Sequence, residues 1–407
     1  MRFTLEKMAL RLYMMALKMG TALLPFRWPR VFQGPGSSRL LLQHIQQQET
    51  GGLLLVTDSA LRQLGLLDPL LAELESLGIR YQMFDQITPD PVNAQIEAGY
   101  QALVAADANA LLAVGGGSVI DAAKLIGARA KNKKSVLKMT GMLRVWRGML
   151  PVYAIPTTAG TGSEVTIAAV VSDPERQRKL PLIDVRLLPK AAALDAHLMA
   201  GLPPAITAST GMDALTHAIE AYLSRNATRT TDQQALAAAQ AIFSHLPRAF
   251  AHGADLEARQ QMAEASHLAG KAFTVAGVGY IHAIAHQLGA HYHIPHGLAN
   301  AMVMPSVLAF SLPACEKRMA SLARHCQLAS STQSDQQAAL ALIDHIIQLN
   351  QSFGIANKVP QLQASDIAAI AKAALAEARF TYAVPRYLNQ QSAGQLISEL
   401  LPDASAD

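Results

Sequence analysis

Strand-like apolar runs alternate with helical segments through the first half of this 407-residue chain and then cease. LLLV at 53–56, IRYQMF at 79–84, ALLAV at 110–114, VYAIP at 152–156, IAAVVS at 167–172 and AAAL at 191–194 are short and apolar, with helical stretches between them. Strands spaced by helices build a mostly parallel sheet with helices on its faces. VFQGPGSS, after Pro29, reads as an edge strand turning into a helix. Beyond Pro203 and Pro204 the strands stop. Residues 205–400 are Ala- and Leu-rich with helical period, interrupted at Gly253, Gly289, Pro295, Pro305, Pro313 and Pro360. The expected architecture is an α/β dinucleotide-binding domain over 31–200, an all-helical domain over 201–407 and a helical extension over 1–30.

Composition narrows the function. Half the residues are hydrophobic and only 16% are charged, as in a well-buried enzyme, and the net charge of +4 is scattered without a basic stripe interleaved with aromatics. A nucleic-acid partner is therefore not expected. In the N-terminal thirty residues Lys7, Arg11 and Lys18 interrupt the apolar run, so it suits neither a signal peptide nor a membrane span. An extra helix on the body or at a subunit contact is the favoured reading, with a membrane-surface helix second. Cys315 and Cys326 lack CxxC spacing and read as free thiols of a reducing cytoplasm.

Two glycine-rich loops follow apolar strands. LLAVGGGSVIDAAK (111–124) runs from strand through three glycines into a helix, whose unpaired N–H groups and positive dipole end suit a pyrophosphate. The motif is not GxGxxG, and alone it could be only a tight turn. IPTTAGTGSEVT (155–166) is the second loop, rich in hydroxyls, and the pair is what a dinucleotide crevice needs. Asp58, ending LLLVTDSA, could accept the ribose hydroxyls of NAD and repel the extra phosphate of NADP. The same carboxylate could equally cap a helix.

Histidines are concentrated in YIHAIAHQLGAHYHIPHGLAN (280–300), which holds five of the chain's thirteen. His282 and His286 share a helix face, and Asp213 and His217 repeat that spacing in GMDALTHAIEAYL. His296, between Pro and Gly, can fold back toward them. One carboxylate and three imidazoles, Asp213, His217, His282 and His296, suit Fe²⁺ or Zn²⁺ and leave room for a substrate oxygen. His286 reads as a supporting group or proton relay, and His291 and His293 as rim or surface residues.

GGGSVIDAAK, IPTTAGTGSEVT, GMDALTHAIEAY and the HAIAHQLG to IPHGLAN block together resemble the iron-containing alcohol dehydrogenase family, in order and spacing, from about Val31 to the VPRYL near the C-terminus. The resemblance implies the two-domain architecture above, with metal and active site in the cleft between the domains, and commonly a homodimer. It places the metal ligands on Asp213, His217, His282 and His296. Nucleotide contacts fall on Asp58, Gly117, Ser118, Thr157, Thr158, Thr166, Lys179, Leu198 and Gly201. Asp90 stands where the family usually has Asn, beside the expected pyrophosphate path, and Ala168 replaces a larger side chain near the nicotinamide. The implied reaction interconverts primary alcohols and aldehydes, with hydride passing from a metal-bound alkoxide to NAD and His286 shuttling a proton. A glycerol-type polyol dehydrogenase, a dehydroquinate-synthase-like lyase and a non-catalytic scaffold are the rival expectations.

Overall fold

A computed structural model describes residues 10–11, 26–49, 51–174 and 178–402. Most of the expected N-terminal helix lies outside the described residues. The chain forms two compact units, one of 25–203 with 252–270 and the other containing 204–251 and 271–407.

In the first unit the order is β1 (Arg30–Gln33), α1 (Ser37–Gln48), β2 (Gly52–Val56), α2 (Ser59–Gln63), α3 (Asp68–Ser76), β3 (Tyr81–Phe84), α4 (Asn93–Ala105), β4 (Ala108–Gly115) and α5 (Gly117–Asn132). Then follow β5 (Gly141–Met142), β6 (Val152–Pro156), β7 (Ala168–Asp173), β8 (Arg178–Ile183) and β9 (Ala191–Leu194). Six strands make one sheet in the order β1-β9-β6-β4-β2-β3, every pairing parallel. β2, β6 and β9 are buried from end to end because both faces of the sheet are covered there. Leu53 and Leu55 of β2, Leu112 and Val114 of β4 and Ile155 of β6 pack on one side with Leu41, Leu42 and Leu74. Their alternates Leu54, Val56, Leu111, Ala113 and Ala154 pack on the other with Ile96, Ile120 and Leu125.

Leu112 is fully buried at the middle of this layer. Leu112→Ala is expected to cost roughly 2–5 kcal/mol. A guanidinium denaturation midpoint that does not move would contradict this packing.

IAAVVS departs from expectation. Its strand β7 leaves the main sheet and pairs antiparallel with β8, which also pairs with β5. RKLPLI of β8 carries two charged residues and a proline, so its strand character was hidden by composition.

The second unit is helical: α6 (Pro204–Leu223), α7 (Arg229–Ala251), the end of α8 (Leu256–Ala276), α9 (Tyr280–Tyr292), α10 (His296–His325), α11 (Asp335–Ser352), α12 (Ile367–Ala378) and α13 (Gln390–Ser398). Gly289 and Pro305, expected as breaks, lie inside helices. Near Pro313 the expected break is present: two helical stretches of α10 meet at a kink with non-helical backbone at Cys315 (φ −140°, ψ 21°). Residues 252–270 lie beyond the expected boundary at 200 but belong to the sheet unit. There Gln260 donates to the Leu194 carbonyl at 3.0 Å and accepts from Ala196 N at 3.3 Å, and buried His267 meets Glu164 at 3.0 Å.

Candidate active site

The acidic and imidazole groups of the second unit converge because three helices present them at helical spacing. α6 carries Asp213 and His217 one turn apart, α9 carries His282 and His286, and α10 begins at His296. Gly297 lets the start of α10 approach α6, since a Cβ there would collide with the Ser209 carbonyl and press on Asp213 Cβ. Ligand atoms of Asp213, His217 and His282 lie within 4.8 Å of one another, all buried. Asp213 Oδ1 is 3.4 Å from His296 Nε2, 3.8 Å from His282 Nε2 and 4.0 Å from His217 Nδ1. The His217 ring is sandwiched between Phe273 and His282, with centroids 4.1 and 4.6 Å away.

This donor set fits a borderline divalent ion: one carboxylate oxygen and two imidazole nitrogens are gathered within 4.8 Å of one another, and a third imidazole, His296, stands 3.4 Å from the carboxylate. Burial, helped by neighbouring imidazoles, drives His282 well below its usual pKa, keeping it neutral. A neutral imidazole keeps a lone pair for a cation.

Three partners of the cluster were missed in the sequence. Glu220, one turn beyond His217 on α6, holds His282 Nδ1 at 2.6 Å and accepts the Gly279 and Ile281 N–H groups, each at 2.8 Å. Burial raises Glu220 to about 8, while those N–H donors pull it back toward the carboxylate. Asn300, one turn beyond His296, places Nδ2 2.8 Å from Asp213 Oδ1, 3.2 Å from His296 Nε2 and 3.3 Å from His282 Nε2. Glu377 of α12 holds His286 Nδ1 at 2.7 Å and also accepts from Tyr382 Oη and Gln287 Nε2. Spacing from a known ligand could have found Glu220 and Asn300. Glu377, 91 residues from His286, could not be found that way. His286 lies beside the quartet, its ring stacked on His296 at 5.1 Å. His291 and His293 are exposed.

The other predicted residues lie at the ends of the sheet strands in the first unit. Gly117 and Ser118 head α5, whose foremost amides lack intrahelical carbonyl partners. A Cβ at Gly117 would strike the Thr161 side chain at 2.6 Å, so the glycine lets the two loops meet. Thr157 and Thr158 follow β6, with Thr157 N bonded to Gly115 O at 3.1 Å. Asp58 lies two residues beyond β2, the strand on the other side of β4, and does cap a helix, its Oδ1 accepting from Leu61 N at 2.9 Å. Leu198 packs on the core on the Leu41 side of the sheet, and Gly201 lies beside Leu66. Asp90, Ser118 and Lys179 come together from three different elements. Thr166 is turned inward: its hydroxyl accepts from buried Lys124 Nζ at 3.1 Å. Lys124 also donates to the Thr166 and Ala168 carbonyls, pinning the start of β7, and burial lowers it to about 8.

A parallel sheet with glycine loops at its strand ends, together with a helical unit holding a carboxylate and three imidazoles, defines a metal- and dinucleotide-dependent oxidoreductase. The iron-containing alcohol dehydrogenase family description matches residues 29–196, and that of the family's C-terminal part matches 207–401. The chain is similar to the NAD-dependent methanol dehydrogenase of Bacillus methanolicus, 37% identical over 90% of this chain and 97% of that one. It is also similar to the 1-propanol dehydrogenase of Salmonella typhimurium, 38% identical over 91% and 98%. A solved 1,3-propanediol oxidoreductase superposes with a TM-score of 0.89 at 35% identity, covering 93% of this chain and all of that one. The chain belongs to the iron-containing alcohol dehydrogenase family. It is an oxidoreductase that interconverts alcohols and aldehydes with NAD and a metal.

Proposed function

We propose that the metal is Fe²⁺ held by Asp213, His217, His282 and His296, and that the substrate is a small primary alcohol or its aldehyde. The gathering of the Asp213, His217 and His282 ligand atoms within 4.8 Å of one another, with His296 Nε2 3.4 Å from Asp213 Oδ1, is the observation that carries this reading. Zn²⁺ satisfies the same donors. When bound, the metal supplies Lewis-acid polarisation of the alcohol or carbonyl oxygen.

The chain's own residues do the rest. Gly117, Ser118, Thr157 and Thr158 form the phosphate cradle, and Asp58 keeps one carboxylate oxygen for a ribose hydroxyl while the other caps α2. Lys179, Leu198 and Gly201 complete that surface. Thr166 acts through Lys124 rather than by touching the dinucleotide. His286 moves the substrate proton, with Glu377 fixing its Nδ1–H so that Nε2 is the working atom. The free, buried thiols of Cys315 and Cys326, pushed up to about 11 and about 12, support a reducing cytoplasm as the working compartment. A homodimer completes the proposal, to be checked by light scattering.

Apo-protein reconstituted in turn with Fe²⁺ and Zn²⁺ and given NAD and a panel of primary alcohols tests the reading. Metal-dependent absorbance at 340 nm is expected. Stoichiometrically metallated protein that forms no NADH with any alcohol would overturn it. His286→Gln keeps a partner for Glu377 but removes the relay, so kcat is expected to fall roughly 10²–10⁴-fold. An unchanged rate and pH profile would remove His286 from the mechanism.

A further inference from the structure

Asp90 sits at the phosphate cradle in a conformation that the backbone imposes. Its φ is +57°, in the left-handed region. Its N–H donates to the Ser118 hydroxyl at 3.3 Å, at the head of α5, and its Oδ1 accepts from Lys179 Nζ at 2.6 Å. Pro91 O accepts from Ser172 N at 2.8 Å, Val92 bridges to Ser172, and Ser172 is the register partner of Lys179 across β7 and β8. The pairing is thus fixed by backbone on both sides, unlike an incidental surface contact.

Lys179 and the positive end of α5 are the two features here that attract a diphosphate. Asp90 opposes both. We propose that Asp90 is a built-in competitor for Lys179, an internal counter-ion that the dinucleotide must displace or share, so that it holds cofactor affinity down and speeds cofactor release. This rests on the reading of residues 58–201 as the NAD surface and changes the role of Asp90 within it, from contact to competitor.

The sign follows from charge. Removing the carboxylate while keeping the backbone frees Lys179 for the phosphates. Asn is the fitting replacement, because it tolerates the left-handed conformation and keeps the side chain's shape. The pair is partly exposed, 28% for Lys179 and 60% for Asp90. Solvent-screened pairs of this kind are worth up to about 1 kcal/mol, so the gain is capped near fivefold.

Direct titration of the metallated protein with NADH, followed by nicotinamide fluorescence, reads the effect. Asp90→Asn is expected to tighten the dissociation constant about two- to fivefold at low salt, mainly through slower release in stopped flow, and the gain should shrink as salt rises. In a Lys179→Met background the same substitution should change nothing. Asp90→Asn binding NADH equally or more weakly, in protein that melts like the parent, would overturn the proposal. So would a gain that persists without Lys179. Parent protein that binds no NADH at all would instead strike at the cofactor surface itself, a separable failure.

Discussion

Replacing His282 by alanine is expected to strip the metal from the protein and lower kcat/KM by two to four orders of magnitude. His282 is 2% exposed and faces Asp213, His217 and Asn300 through Nε2 while Nδ1 is held by Glu220. His286, the nearest other imidazole on α9, is oriented by Glu377. Lewis-acid polarisation is worth several kcal/mol of transition-state stabilisation, and each 1.4 kcal/mol or so is tenfold in rate. Elemental analysis of the purified variant should find little iron or zinc. Dinucleotide binding, which draws on residues 58–201, is the control that a folded protein passes. A variant that retains one metal per chain and the parent rate would remove His282 from the ligand set.

The quartet was readable in the sequence because α-helical spacing is rigid: i, i+4 pairs at Asp213 and His217 and at His282 and His286 have only one way to face. The glycine loops were readable for a related reason. Each sits directly between a strand and a helix, where few residue types fit. Residues whose partners come from distant elements were not readable. Glu377 reaches His286 across 91 positions, and Lys124 lies in a helix that composition alone would place at the surface, yet it is fully buried beneath β7. Thr166 was singled out from its motif, but its hydrogen bond from buried Lys124 could not be read there. β8 and its antiparallel pairing with β7 escaped because strand character in RKLPLI comes from pairing rather than from apolar pattern, and with it went the Asp90–Lys179 ion pair. Pro305 misled for a different reason: packing of α10 against α6, α9 and α11 outweighs the hydrogen bond it removes, whereas the break expected at Pro313 is met by the kink at Cys315.

Glu220→Gln carries the second large effect, and it reports on how the ligands are held rather than on the ligands themselves. The Glu220 oxygens accept three N–H groups, from Gly279, Ile281 and His282 Nδ1, and a Cβ at Gly279 would lie 2.7 Å from Oε1, so the carboxylate is clamped in one orientation. That clamp fixes the His282 tautomer with the proton on Nδ1 and the lone pair on Nε2, facing Asp213. An amide of the same shape has one oxygen and one NH₂, so at least one of the three donors meets another donor and the hold on His282 is broken. Loss of such a partner typically weakens metal binding 10–100-fold. Competition against a calibrated chelator measures that loss directly, and saturating metal should restore much of the rate if Glu220 acts through His282 alone. Glu220→Asp, one methylene shorter, should not rescue, because it cannot span the Gly279 and Ile281 amides and His282 together. Metal affinity within twofold of the parent in Glu220→Gln would show that His282 is oriented by its stacking on His217 instead, and the clamp would then belong to the folding of the turn before α9.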